Sequence, residues 1–258
     1  MKRRRRQRHV SYNPSTANRL ARLAYDAFLN EDELRDKYGA RFCAFLEKPQ
    51  VGTEGFVVKY RRNLVAVAFR GTAPAFQGAK MTMDIRDWLI DFCAFQTPGG
   101  FLMGGRGARV HAGFRLAYDG VRDEIMSAIR SLRPHHVYVT GYSLGGALAT
   151  LAALDIKLTF GRRPWGIRVT MYNFGSPRVG NASFAKYYNR NVVDSHRVVH
   201  SGDVVTMLPP WVTGYKHVRK RHSLPRHPDS KFPHHQDVKL YYLEQIGKER
   251  PLGSIAGA

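Results

Sequence analysis

Apolar positions along the 258-residue chain switch between a helical and a strand period, and the switches mark out the elements. From Asn18 to Tyr38, Leu20, Leu23, Ala24, Ala27 and Phe28 recur at helical spacing behind Ser15 and Thr16, which predicts one capped helix packed on a sheet. Gly55 to Tyr60 and Leu64 to Phe69 are apolar, β-branched runs joined by Arg61-Arg62-Asn63, the pattern of a hairpin. Phe114, Leu116, Ala117, Val121, Ile125, Ala128, Ile129 and Leu132 predict a single helix that stops before Pro134. A strand follows over His136 to Val139, then a helix dense in apolar residues over Ala147 to Leu158. Strands over Trp165 to Asn173 and Asp194 to His200 enclose a short helix, Asn181 to Asn189. A last helix, Val238 to Ile246, carries Leu240, Leu243 and Ile246. Strands alternating with helices imply an α/β fold with a mostly parallel central sheet, helices on both faces, and reactive groups at the carboxyl ends of strands.

Composition adds limits to this picture. At 43% hydrophobic residues the chain can bury the core of one α/β domain over 12–258, with 1–11 as a separate basic tail. No stretch of about 18 uncharged apolar residues occurs, so no transmembrane helix is expected. The start, Met1 to Arg8, resembles the basic beginning of a signal peptide, but Ser11 to Asn18 is polar where an apolar stretch should follow. The expectation is therefore a chain without a signal peptide, cytoplasmic or peripheral to a membrane. Two cysteines, Cys43 and Cys93, make no disulfide framework and read as free, buried, small apolar residues. The balance of 41 Lys+Arg against 20 Asp+Glu, formally +21, creates a field that attracts anionic surfaces. The excess lies in residues 2–8 and in Lys216 to His222 with Arg226 and Lys231, which read as a solvated tail and face. Peripheral contact with an anionic membrane fits this charge. A nucleic-acid partner is disfavoured, because no binding module or aromatic-interleaved basic sheet accompanies it.

Between the predicted strand and the apolar helix stands Gly141-Tyr142-Ser143-Leu144-Gly145, a G-x-S-x-G pentapeptide followed by Gly146. A serine hydroxyl is a poor nucleophile at its ordinary pKa. It needs a sharp elbow where a histidine and backbone amides can both reach it, and the Leu144 N–H at the helix start points where an oxyanion would form. In this architecture an acid and then a histidine follow the serine along the chain. Asp203 ends the strand through His200 in a Gly-containing turn, where it can hold the tautomer of a histidine. Asp194 is at the wrong end of that strand, and Asp155 lies on the elbow helix. Chain order disfavours His135, His136, His196 and His200. His234 and His235 precede the last helix, and His235 is the choice for the base, with His234 in reserve. The His-rich tail, with His217, His222 and His227, also admits a metal reading, but irregular spacing and neighbouring cations argue against it, and no cofactor is expected.

Five ordered motifs resemble the class 3 lipases, the fungal-type triacylglycerol lipases of the α/β-hydrolase superfamily. They are Val67-Ala68-Phe69-Arg70-Gly71-Thr72, Asp87-Trp88-Leu89-Ile90-Asp91, Val110-His111-Ala112-Gly113-Phe114, Gly141 to Ala149, and Asn173-Phe174-Gly175-Ser176-Pro177-Arg178-Val179-Gly180. The resemblance implies an α/β-hydrolase fold, hydrolysis of lipid carboxylic esters through an acyl-enzyme at an interface, and Thr72 as second oxyanion donor beside Leu144. It matches Asp203 to the family acid. Ile85, Trp88, Leu89 and Phe92 alternate with charged residues in a short amphipathic piece, which the resemblance makes a lid. Three departures stand out. Thr206 occupies a position where the family often has proline, residues 73–83 lengthen the approach to Asp87-Trp88, and His235 lies six residues before Tyr241 where the family usually has five. His234 and His235 therefore both remain as the base. A phospholipase A-type activity on anionic membranes, or lipid and polyanion binding without catalysis, are the alternatives.

Overall fold

The computed structural model describes residues 10–71, 96–98, 107–161, 166–219, 221–225 and 242–248. The first expected helix is two helices. α1 (Pro14–Asp26) begins at Asn13, whose side-chain oxygen accepts from the Thr16 N–H at 2.8 Å. Pro14 sits at the first helical position, so Ser15 and Thr16 fall inside the first turn rather than capping it. The chain restarts as α2 (Glu31–Tyr38) because Asn30 and Glu33 close a reciprocal capping box, each side chain bonding the other's N–H. The expected helix over Phe114 to Leu132 also divides, into α3 (Ala112–Asp119) and α4 (Arg122–Leu132). Gly120 is a poor helix former, and Asp123 and Glu124 suit a fresh helix N-terminus.

An edge strand not foreseen, β1 (Phe42–Lys48), pairs antiparallel with β2 (Thr53–Arg61), which forms the expected hairpin with β3 (Leu64–Phe69). The remainder of the seven-stranded sheet is parallel: β3 is followed by β6 (His136–Tyr142), β7 (Arg168–Phe174), β9 (Asp194–His200) and β11 (Arg221–Leu224). A smaller sheet joins β4 (Gln96–Pro98), β5 (Arg109–His111), β8 (Gly180–Asn181) and β10 (Tyr215–Lys216) in the order β10-β8-β5-β4. α5 (Leu144–Phe160) and α6 (Ala182–Asn191) fill the β6–β7 and β7–β9 crossovers, as expected.

Strand alternation divides the core between the two faces of the sheet. Val65, Val67 and Phe69 of β3 join Val137 and Val139 of β6 on the side of α3, α4, α5 and α6. Ala66 and Ala68 join Tyr142, Tyr172 and Phe174 on the side of α1 and α2. That second face also holds Tyr242 and Ile246, the latter in α7 (Glu244–Lys248). The buried face of this last segment is Tyr242, Gln245 and Ile246, one residue off the expected Leu243, which is only half-buried. Residues 238–241 lie outside the described residues. Cys43 is exposed, not buried as expected, because β1 is an edge strand; Cys93 lies outside the described residues. Among the described residues no helix is long and apolar enough to cross a membrane.

Candidate active site

β6 delivers Ser143 to the carboxyl edge of the sheet, and α5 begins at the next residue. The serine adopts φ 55°, ψ −123°, a conformation that L-residues rarely hold. It is held there by its N–H, which donates to the Phe174 carbonyl of β7 at 2.9 Å, and by its own carbonyl, which accepts from the Gly146 N–H at 2.9 Å. Two glycines make the tight turn sterically feasible. A Cβ on Gly141 would lie 2.2 Å from the Gly145 carbonyl oxygen, and one on Gly145 would lie 2.3 Å from that of Phe69. Leu144 is the first residue of α5, where backbone N–H groups lack an intrahelical acceptor and the helix dipole favours negative charge. Such a site can stabilise an oxyanion.

Asp203 reaches the same edge two strands away. β9 ends at His200, Gly202 turns the chain at φ 96°, and the Asp203 N–H donates back to the His200 carbonyl at 3.1 Å. Parallel strands stand about 4.8 Å apart, so the carboxyl ends of β6 and β9 are about 10 Å apart, a gap that an imidazole can bridge. The carboxylate is buried and oriented: Oδ1 accepts from the Val205 N–H at 3.0 Å, and Oδ2 accepts from the Tyr242 hydroxyl at 2.7 Å. The Tyr242 oxygen also accepts from the His200 N–H at 3.2 Å. Burial first, and then the nearby Asp203 charge, push the phenol far above its ordinary pKa, so it stays a donor. Tyr242 is the site residue that sequence reasoning missed. It lies inside the expected last helix, Val238 to Ile246, but only Leu240, Leu243 and Ile246 are singled out there, and the family tyrosine is matched to its neighbour Tyr241.

The remaining expectations divide. Gly71 ends the described run after β3, and a Cβ on it would lie 3.0 Å from the Tyr142 carbonyl oxygen, so this segment abuts the residue before the nucleophile. Thr72, the lid residues Ile85, Trp88, Leu89 and Phe92, and both His234 and His235 lie outside the described residues. Asp155 does point elsewhere, bonded to Arg122 Nε at 2.6 Å and to the Tyr118 hydroxyl at 2.9 Å. Asp194 starts β9 at the far end of the sheet, where it accepts from Thr170 at 2.6 Å and Arg168 at 2.7 Å and pairs with His196. Burial would raise its pKa, but those bonds outweigh it and bring it down to about 2.

The basic run after β10 is not simply a solvated face. Arg219 donates to the carbonyl of Val192, and its N–H donates to the Asn189 side chain at 3.0 Å. Two histidines raised in the metal reading have other partners. His217 Nε2 bonds the Thr206 carbonyl at 2.7 Å, and burial with the neighbouring Arg197 charge lowers its pKa to about 3. His222 stacks on Tyr12 with ring centroids 3.6 Å apart. Thr206, at the family's proline position, anchors the acid turn through its hydroxyl, which donates to the Asp203 carbonyl at 2.7 Å.

Residues 66–213, more than half of the chain, match the family model described as Lipase (class 3). The chain belongs to the class 3 lipase family. Among its relatives, a secreted mono- and diacylglycerol lipase of Fusarium solani is 33% identical over 69% of this chain and 53% of its own length. A chloroplastic phospholipase A(1) of Arabidopsis thaliana is 38% identical over 57% of this chain and 34% of its own length. The chain therefore spans about half, or less, of these relatives. The solved lipase II of Rhizopus niveus superposes with a TM-score of 0.67 at 24% identity, over 82% of this chain and 80% of the other. The central sheet and its flanking helices thus have the α/β-hydrolase fold of the class 3 lipases.

Proposed function

We propose that the chain, with 12–258 as its catalytic domain and 1–11 as a basic tail, hydrolyses carboxylic esters of lipids through a serine acyl-enzyme. The observation that carries this reading is the strained Ser143 elbow sharing one sheet edge with a buried, doubly hydrogen-bonded Asp203. In the reaction, His235, or His234, takes the Ser143 proton as Oγ attacks the ester carbonyl carbon, while Asp203 accepts from the other ring nitrogen. The Leu144 and Thr72 N–H groups stabilise the oxyanion. The tetrahedral intermediate collapses, the alcohol departs with the histidine's proton, and water then clears the acyl group by the same two steps. No cofactor or metal enters this chemistry. Ile85, Trp88, Leu89 and Phe92 serve as the lid over the site, consistent with their amphipathic spacing.

Membership of the family and the acylglycerol lipase among the relatives support a lipid ester as substrate. The phospholipase A(1) relative, together with the +21 charge, favours a second reading, acyl hydrolysis of anionic phospholipids at a membrane surface. Ser143→Ala is expected to lower hydrolysis of chromogenic acyl esters by several orders of magnitude. Retention of most of the activity would remove the serine mechanism. Rates that rise with anionic lipid content and fall with added salt would favour the phospholipid reading, since polybasic attraction decays within a Debye length.

A further inference from the structure

Five large apolar side chains stand exposed among the described residues, and three of them, Met207, Trp211 and Val212, come from one stretch of six residues just after Asp203. They are 65%, 73% and 70% exposed. Scattered exposed apolar residues are ordinary, but a cluster containing a tryptophan at this exposure marks an interaction surface.

The stretch is not loosely hung. The Arg178 N–H donates to the Leu208 carbonyl at 2.7 Å, and its guanidinium donates to the carbonyls of Met207 and of Pro209, the latter at 2.7 Å. The Thr213 N–H donates to the Pro210 carbonyl at 3.0 Å, that of Gly214 to the Trp211 carbonyl at 3.0 Å, and the Gln96 amide to the Thr213 carbonyl at 3.2 Å. Val205, Thr206 and Pro209 are buried beneath. Polar bonds thus fix the backbone from the inner side, while the apolar side chains project outward and contribute nothing to the core.

We infer that Met207, Trp211 and Val212 form a lipid-docking wedge that seats the Ser143 edge of the sheet on an anionic lipid surface. What the docking serves rests on the ester-hydrolase reading; the binding itself does not. Three features select lipid as the occupant. Indole prefers the interfacial zone of a bilayer. Exposed Lys216 after the stretch and a net charge of +21 suit anionic headgroups. The stretch also leaves directly from Asp203, so docking presents the carboxyl edge of the sheet to the lipid.

The test compares Trp211→Ser/Val212→Ser with its parent in a Ser143→Ala background, so that vesicles stay intact. Partition onto phosphatidylcholine vesicles containing phosphatidylglycerol is read by co-sedimentation. The double variant should bind at least about tenfold less, given the apolar area removed, with an unchanged thermal midpoint. Leu116→Ser, which removes an exposed apolar side chain of α3 rather than one of the stretch, should bind like the parent. Equal partition of the double variant overturns the inference. So does a parent dimer that the double variant dissociates while vesicle binding persists, because the patch would then cover a second copy. A Trp88→Phe/Trp165→Phe form of the parent, leaving Trp211 as sole indole, should be quenched by brominated phosphatidylcholine mixed into the same vesicles, and absence of quenching also overturns it. Failure of the protein with Ser143 intact to hydrolyse any ester would sink the hydrolase reading while leaving these binding results to stand by themselves.

Discussion

A serine at φ 55°, ψ −123° costs on the order of 1–3 kcal/mol in backbone energy, and the fold holds it through the Phe174 carbonyl and two glycines that admit no Cβ. Strain kept at this cost places Ser143 on the turn between β6 and α5, directly before the amides that open the helix. Asp203 is built differently, from hydrogen bonds rather than strain. The Tyr242 hydroxyl, buried and unable to ionise near neutral pH, donates to the carboxylate and keeps it aimed. Tyr242→Phe retains the ring that packs on Tyr142 and Phe174 but removes that donor. Steady-state kinetics on a soluble ester should show kcat reduced roughly tenfold with KM little changed, in line with one hydrogen bond to a charged group. Stability should fall by about 1 kcal/mol, because the His200 N–H also loses its acceptor. An unaltered kcat would mean that Tyr242 only packs.

At the scale of elements, what the sequence shows best is what hydrophobic period alone decides. β3, β6, β7, β9 and α5 are buried on one or both faces, so their apolar runs are long and their existence is plain from the chain. Boundaries set by one side chain are less visible. The apolar stripe continues across Asn30 and across Gly120, yet a capping box and a glycine break each long helix into two. β1 escaped notice because, as an edge strand with only Leu46 fully buried, it lacks a clean alternation. The site divides in the same way. Ser143 and Asp203 are legible because a sharp turn and a strand end each leave a local signature. Tyr242 is not, since its partner lies 39 residues away in the chain and only the packed fold brings them together.

Across the whole molecule the two ends of the sheet have opposite tasks. The carboxyl edge carries Ser143 and Asp203, while the other end holds a polar cluster in which buried Asp194, Thr170 and His196 meet the exposed Arg168. Burial lowers the pKa of His111 to about 4, that of His136, beside Arg168, to about 4, and that of His217 to about 3. Each is below the unfolded value near 6.5, so on acidification the unfolded chain takes up protons that the native state refuses. Stability should therefore decline as pH falls from about 6.5 towards 4, measured as the denaturation midpoint in urea. His136→Gln, which can still bond Thr170, should flatten part of that decline; a slope unchanged by the substitution would reassign it. Asp194 acts in a lower window: its depressed pKa contributes stability above about pH 4 that is lost as pH falls towards 2. The central claim, that the Ser143 elbow is an activated nucleophile, is tested most directly by reacting the folded protein with a fluorophosphonate and locating the adduct by peptide mass spectrometry. The account predicts one phosphonylated residue, Ser143, with labelling abolished in Ser143→Ala. A folded protein that takes no label, or carries it on another residue, would contradict it.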